Sequence, residues 1–349
     1  NKNIIFWGLG LQISFAIIIL KTSFGKALFF YFNILIVKLI SFADAGSDFL
    51  FTSFIPEVGY DQALINFAFR ALPVIIFFSS LIAATYHLGV IQIIIKNIAK
   101  VMEKTMKTSG AETLSISANI FVGQTEAPIL IRPYISKMTN SELMTVMVGG
   151  FSTVAGSVMA LYVTWLNNIP EIAGHLLAAS VMSAPAALMV AKIIYPETKS
   201  YQIISSNSIN LKSQDNNLVD AIGRGATDGL KLAANVAAML IAFISLVAMI
   251  NFILGLLGTS MQEMLGLLFK PLAWTMGIPW ADAKIVGTLM GEKIVLTELI
   301  AFRDLSDYVS NNTISERSVI IASYALCGFA NFGSIGIQLG GIGSMAPKR

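Results

Sequence analysis

The chain has 349 residues, 55% of them hydrophobic and only 12% charged, with a formal net charge of +3. A soluble domain carries roughly 25% charged residues, so a soluble protein's polar surface cannot be built here, and the mean hydropathy of +0.74 agrees. So small a net charge on so apolar a chain does not suggest nucleic acid, and none is expected as a partner.

In chain order, residues 4–20 are apolar and no small-residue cleavage site follows them, so they are expected to stay as a span rather than leave as a signal. Residues 64–86 predict a span with Arg70 near one end and Pro73 inside. Residues 172–195, containing Pro185, and residues 232–258 predict two more. Each is long enough for a hydrocarbon core about 30 Å thick, and membrane helices tolerate proline better than soluble ones. In residues 90–107, Ile91, Ile94, Ile98, Val101 and Met102 recur at helical spacing opposite Lys96, Lys100 and Lys104. That pattern suits a helix lying in the membrane interface. Residues 197–220 are the only long polar stretch and read as a cytoplasmic linker between two halves. Cys327 is the only cysteine, which rules out a disulfide within the chain, and its apolar setting suits packing.

Lysines and arginines gather at Lys2, from Lys96 to Lys107, from Lys192 to Arg224, and at Lys348 and Arg349. The positive-inside rule places these stretches in the cytoplasm. Residues 21–63 and 259–280 are then expected outside.

Two apolar segments do not behave as spans. Residues 110–137 are interrupted at Gly123-Gln124-Thr125-Glu126-Ala127-Pro128, and a glycine before and a proline after polar residues break a helix. The flanking limbs, of about 12 and 9 residues, are each too short to cross. A re-entrant hairpin is predicted, with Gln124, Thr125 and Glu126 at its tip. Residues 281–302 predict a second hairpin, its tip near Gly291 to Glu298. An ionisable group at membrane depth is costly, which makes Glu126 and Glu298 functional candidates. A glutamate at the membrane surface is the alternative for each.

Each hairpin is followed by an interrupted span. Residues 143–166 contain Ser152-Thr153-Val154-Ala155-Gly156-Ser157, and residues 318–345 contain Gly328-Phe329-Ala330-Asn331-Phe332-Gly333-Ser334. Small residues also serve close helix packing, but Asn331 in mid-span needs partners for its amide. Unwound backbone there is placed to meet an ion or substrate. Glu126 and Glu298 lie 172 positions apart, and Ala155 and Gly333 lie 178 apart. The order span, interfacial helix, hairpin, broken span thus occurs twice. Three crossings in the first unit start the second from the opposite face, which is the inverted-repeat plan of secondary transporters. The expected fold is an all-α integral membrane protein of inverted repeats, with two re-entrant hairpins and two interrupted transmembrane helices.

The string from Ser109 to Pro133 closely resembles the signature of the concentrative nucleoside transporter family. So do Ala155 to Val158, His175 to Leu188, Asn235 to Phe243 and Cys327 to Arg349, and the likeness runs through essentially the whole chain. The resemblance implies a homotrimer in the cell membrane, multi-pass and in a bacterium the inner membrane. It implies import of nucleosides such as uridine, cytidine and adenosine with a sodium ion or, in some members, protons. Scaffold spans and interfacial helices are expected over 1–108, and the first hairpin, broken helix and following span over 109–196. The linker, a scaffold span and an interfacial helix follow over 197–280, then the second hairpin and broken helix over 281–349.

The resemblance also implies roles. Gln124 and Thr125 would recognise the base, with Glu126 acting nearby through water, while Val158, Leu230 and Phe329 flank it. Glu298, Asn331 and Ser334 would bind the ribose. A carboxylate accepts from two hydroxyls at once, and such charge-assisted bonds are the stronger kind. Sodium would sit on the side chains of Asn119 and Thr153 and the carbonyls of Val122 and Val154. Two residues depart from the family pattern: Thr297 stands where asparagine is usual, and Thr153 where serine is expected. Family members have a further span before residue 1, and the repeat predicts one after Arg349.

A proton-coupled carrier using Glu126 or Glu298 is the competing reading. An intramembrane hydrolase is a distant one, because His87 and His175 are the only histidines and have no metal-binding spacing.

Overall fold

The computed structural model describes residues 2–52, 67–198, 209, 211 and 215–348. Among these residues the chain is helical throughout, with no strand. It opens with α1 (Lys2–Lys21) and α2 (Ser23–Phe51), joined at Thr22, whose hydroxyl caps α2 by accepting from the Gly25 amide at 3.0 Å. A Cβ at Gly25 would fall 2.1 Å from the Ile18 carbonyl, so only glycine permits this corner.

The stretch expected outside, residues 21–63, contains the long helix α2. Its 29 residues are long and apolar enough to cross a membrane. The charges that obscured it are neutralised from another helix: Arg70 Nη1 lies 3.0 Å from Asp48 and 3.8 Å from Asp44. Residues 53–63 of that stretch lie outside the described residues.

The span expected at 64–86 enters through a wide helical turn, Phe67–Ala71, and continues as α3 (Leu72–His87). Its first residues, 64–66, lie outside the described residues. Next, α4 (Val90–Met106) buries Ile91, Ile95, Ala99, Met102 and Met106. This face differs from the one expected, because Ile94 and Val101 are exposed. The helix is apolar on two sides and turns only one of them to the protein.

The first hairpin comprises α5 (Gly110–Asn119), a turn, and the short helices α6 (Glu126–Leu130) and α7 (Arg132–Ile135). A capping box starts α5, in which the Ser109 amide donates to Glu112 Oε1 at 3.0 Å. The first interrupted helix follows as α8 (Asn140–Ser152) and α9 (Gly156–Trp165), then α10 (Ile172–Ile194). A buried ion pair rivets these parts together. Lys192 Nζ of α10 lies 2.8 Å from Glu112 Oε2 and donates to Ser141 Oγ of α8 at 3.0 Å.

Most of the polar linker lies outside the described residues. The span expected at 232–258 is longer than its apolar core: α11 runs Leu218–Gly255, taking in the polar residues after the linker. It lies flush on α3, because Gly225 and Gly229 each leave less than a methyl's room to that helix. α12 (Met261–Thr275) then packs on the second hairpin, as α4 packs on the first.

The second hairpin is α13 (Ala283–Val295) and α14 (Glu298–Ser310). It extends beyond the expected end at 302, and its break is narrower than expected. Gly291 lies inside α13, where a Cβ would sit 2.5 Å from Leu265 of α12, so this glycine serves packing rather than the tip. At the foot of the hairpin Asp282 accepts from the hydroxyls of Ser315 and Ser318, each at 2.6 Å, and these bonds hold its carboxyl below the ordinary aspartate range. The second interrupted helix is α15 (Glu316–Leu326) and α16 (Phe332–Met345). The element order of α3 to α9 therefore returns in α11 to α16.

Candidate substrate and cation site

Four discontinuities meet at one place. Gly328, at φ +129°, carries the chain past the first break, and a Cβ there would lie 2.8 Å from the Phe151 carbonyl. The Gly156 amide donates to the Phe121 carbonyl at 3.0 Å, which pins the first hairpin turn to the start of α9. Between the breaks and both hairpin tips lies a cavity of ≈ 140 Å³.

At one end of the cavity stands Glu298, the first residue of α14 and 4% exposed. Its Oε2 accepts from Asn331 Nδ2 at 2.8 Å and its Oε1 from the Tyr162 hydroxyl at 3.0 Å. The Asn331 oxygen is spent on the Ser334 amide at 2.8 Å, capping α16, so this amide can turn only its nitrogen to the carboxylate. Thr297 keeps the capping function at the tip, its hydroxyl accepting from the Ile300 amide at 3.4 Å. Lys293 ties the hairpin to the broken helix by donating to the Ala325 carbonyl at 2.9 Å, one turn before the break.

The first hairpin tip closes the other end. Gln124 is buried and accepts from Gln338 Nε2 of α16 at 3.1 Å. Thr125 and Glu126 line the cavity, and Glu126 folds back to accept from the Gly123 amide. Val158, Phe329 and Ser334 line it as well. Leu230 does not; it is 57% exposed, and α11 instead presents Leu232, Val236, Met239 and Leu240. Two positions on a helix are about 200° apart, so residues 230 and 232 face opposite ways.

Beside the cavity, Asn119 ends α5 with a fully buried amide. Neither its oxygen nor its nitrogen has a hydrogen-bond partner among the described residues. A buried polar group left so costs about 1–3 kcal/mol, and a ligand that Asn119 could bind would relieve this. Gly149 of α8 lies against the amide, since a Cβ there would be 3.6 Å from Asn119 Nδ2. The buried Thr153 hydroxyl reaches only the Gly149 carbonyl, at 3.3 Å. Val154 is buried in the same break, and Val122 is half-buried in the turn. The donor set is neutral oxygen, which fits a hard monovalent cation. Among the described residues no cluster of histidine, cysteine or carboxylate groups offers another metal site.

Sequence reasoning missed Tyr162, Gln338 and Lys293. Tyr162 is buried in α9 and stacked on Phe302, with ring centres 4.1 Å apart, so in sequence it reads as core.

Two hairpin tips and two broken helices that frame a largely apolar cavity with polar groups at its ends are the architecture of a secondary transporter. Models of the Na+-dependent nucleoside transporter match the chain at its N-terminal part (residues 1–54) and its C-terminal part (175–349). A gate model described as nucleoside recognition matches residues 68–168. The chain is 42% identical to mouse sodium/nucleoside cotransporter 1, across 98% of the chain and 54% of that protein. It is also 42% identical to the uncharacterized transporter YutK of Bacillus subtilis, across 98% of the chain and 84% of the relative. The structure of CNTnw in an inward-facing substrate-bound state superposes with a TM-score of 0.90 at 40% identity, covering 100% of this chain and 84% of that one. A CNTnw variant in an outward-facing state gives 0.90 at 39% identity, with the same coverage. The chain spans about half the length of the animal relatives it matches. This chain belongs to the Na+-dependent, or concentrative, nucleoside transporter family.

Proposed function

We propose that this protein imports nucleosides by sodium symport and alternating access. The observation that carries the reading is the cavity at the junction of the hairpins and breaks, with a buried carboxylate at one end and a buried amide at the other. Glu298 and Asn331, with Ser334, take the ribose hydroxyls; Gln124 and Thr125, with Glu126, take the base edge. Val158 and Phe329 flank the base, and Leu232 of α11 takes the part expected of Leu230. Uridine, cytidine and adenosine are the proposed substrates, a bacterial inner membrane the proposed location and a homotrimer the proposed assembly. Within each subunit the hairpins and broken helices move against a scaffold of the remaining spans.

Sodium at Asn119 and Thr153, with the carbonyls of Val122 and Val154, supplies the missing partner for the orphaned amide. It thereby fixes the first hairpin beside the break and orders Gln124. Nucleoside affinity then rises with sodium, and by linkage sodium affinity rises with nucleoside. A membrane potential of 100 mV contributes about 2.3 kcal/mol per charge moved, roughly fiftyfold accumulation before any concentration gradient is counted.

The test is uridine uptake into proteoliposomes with a sodium gradient, then with choline replacing sodium and an imposed pH gradient. Uptake that needs sodium supports the reading. Full uptake in choline, driven by the pH gradient, would falsify it and assign coupling to protons. Asn119→Ala is expected to raise the sodium concentration for half-maximal uptake by about tenfold, the weight of one ion-bound oxygen. Its maximal uptake at saturating sodium should stay close to wild type; an unchanged sodium dependence would remove Asn119 from the ion site.

A further inference from the structure

We propose that Gln338 sets which way round the Gln124 amide faces, and so makes the cavity select a pyrimidine that carries a hydrogen-bond acceptor at position 4. The inference rests on the reading of Gln124 as a base contact and assigns it a polarity. A carboxamide has an accepting end and a donating end of nearly the same shape, and only its partners decide the orientation.

Here the partners decide it. Gln338 is 1% exposed, and one of its amide atoms lies 3.0 Å from the Met147 carbonyl oxygen. A backbone carbonyl only accepts, so that atom is the nitrogen. The same nitrogen lies 3.1 Å from an amide atom of Gln124. Two NH2 groups would repel at that distance, so the Gln124 atom is the oxygen. Polarity therefore passes from a fixed backbone carbonyl of α8, through α16, to the hairpin tip. Gln124 Nε2 is the end left over; it belongs to a cavity-lining residue and has no partner among the described residues. Gly150 makes room for the chain of contacts, since a Cβ there would stand 2.3 Å from Gln338 Nε2 and 3.0 Å from Gln124 Cβ.

With the ribose held at Glu298, the edge of the base remote from the sugar reaches Gln124. In uridine position 4 is a carbonyl, which accepts from the free NH2. In cytidine it is an amino group, which meets the NH2 donor to donor. Gln338 is a positioning residue: it touches no substrate and acts through Gln124.

The experiment is calorimetric titration of uridine, cytidine and 2′-deoxyuridine into purified protein at saturating sodium, for wild type, Gln338→Met and Gln124→Ala. Wild type is expected to favour uridine over cytidine by about tenfold, the weight of one matched hydrogen bond against one mismatch. Gln338→Met should bring that ratio to within about threefold, because the unlocked amide can flip. The uridine to 2′-deoxyuridine ratio should not move, since that reports the ribose end. A wild-type preference for cytidine, or none, overturns the proposal even if the variant does not fold. So does a folded Gln338→Met with the wild-type ratio. If Gln124→Ala abolishes the base preference while Gln338→Met keeps it, the base contact stands and the polarity lock falls. If Gln124→Ala keeps the preference, both fall.

Discussion

Replacing Lys192 with methionine is expected to cost about 3–5 kcal/mol of stability, because it strands a buried carboxylate without its partner. Glu112 is fully buried and Lys192 is 5% exposed, at 2.8 Å from each other. What remains to Glu112 is the Ser109 amide that starts α5. The ammonium also holds Ser141 near the start of α8, so its loss frees the foot of the first hairpin from both neighbours. The unfolding midpoint of the detergent-solubilised protein is the measurement. The double variant Glu112→Gln with Lys192→Met should recover part of the loss, since it neutralises Glu112 and leaves only Glu197, 3.9 Å from the ammonium in the native protein, without its cation. Losses that simply add would show that the two residues do not act as a pair.

How far the sequence could be read depends on where each contact originates. Both hairpins were legible because their cause is local: polar residues, joined by Gly123 and Pro128 in the first, inside apolar runs too short to cross once broken. The breaks at 153–155 and 327–331 were legible for the same reason. Helix α2 was not, because Asp44 and Asp48 look like the charges of a loop until Arg70 arrives from a distant segment. The face of α4 was half legible, since an apolar stripe shows that a side is apolar but not which partner it meets. Leu230 illustrates a different limit. A resemblance carries a residue over by alignment, but two positions of slippage turn a helix face through about 200°. Tyr162 and Gln338 carry no local signal at all, because each matters only through a side chain more than a hundred positions away.

Glu298→Gln is expected to weaken uridine binding roughly ten- to hundredfold, the weight of a charge-assisted hydrogen bond of about 1.5–3 kcal/mol. The geometry explains why so mild a change matters. The carboxylate accepts from Asn331 on one oxygen and from Tyr162 on the other, and still has lone pairs for ribose hydroxyls. A glutamine offers one oxygen only. Its NH2 end would face either the Asn331 NH2, donor to donor, or the Tyr162 hydroxyl, which would have to rotate. Either arrangement leaves fewer acceptors for the sugar and loosens the link between the second hairpin and α16. 2′,3′-Dideoxyuridine has no hydroxyl to lose, so its binding should change much less. Equal losses for the two ligands would show that Glu298 acts by holding the hairpin closed rather than by binding the ribose. Tyr162→Phe separates the two roles. It removes one donor to the carboxylate while keeping the ring stacked on Phe302, and should weaken uridine by only a fewfold, about the weight of one hydrogen bond.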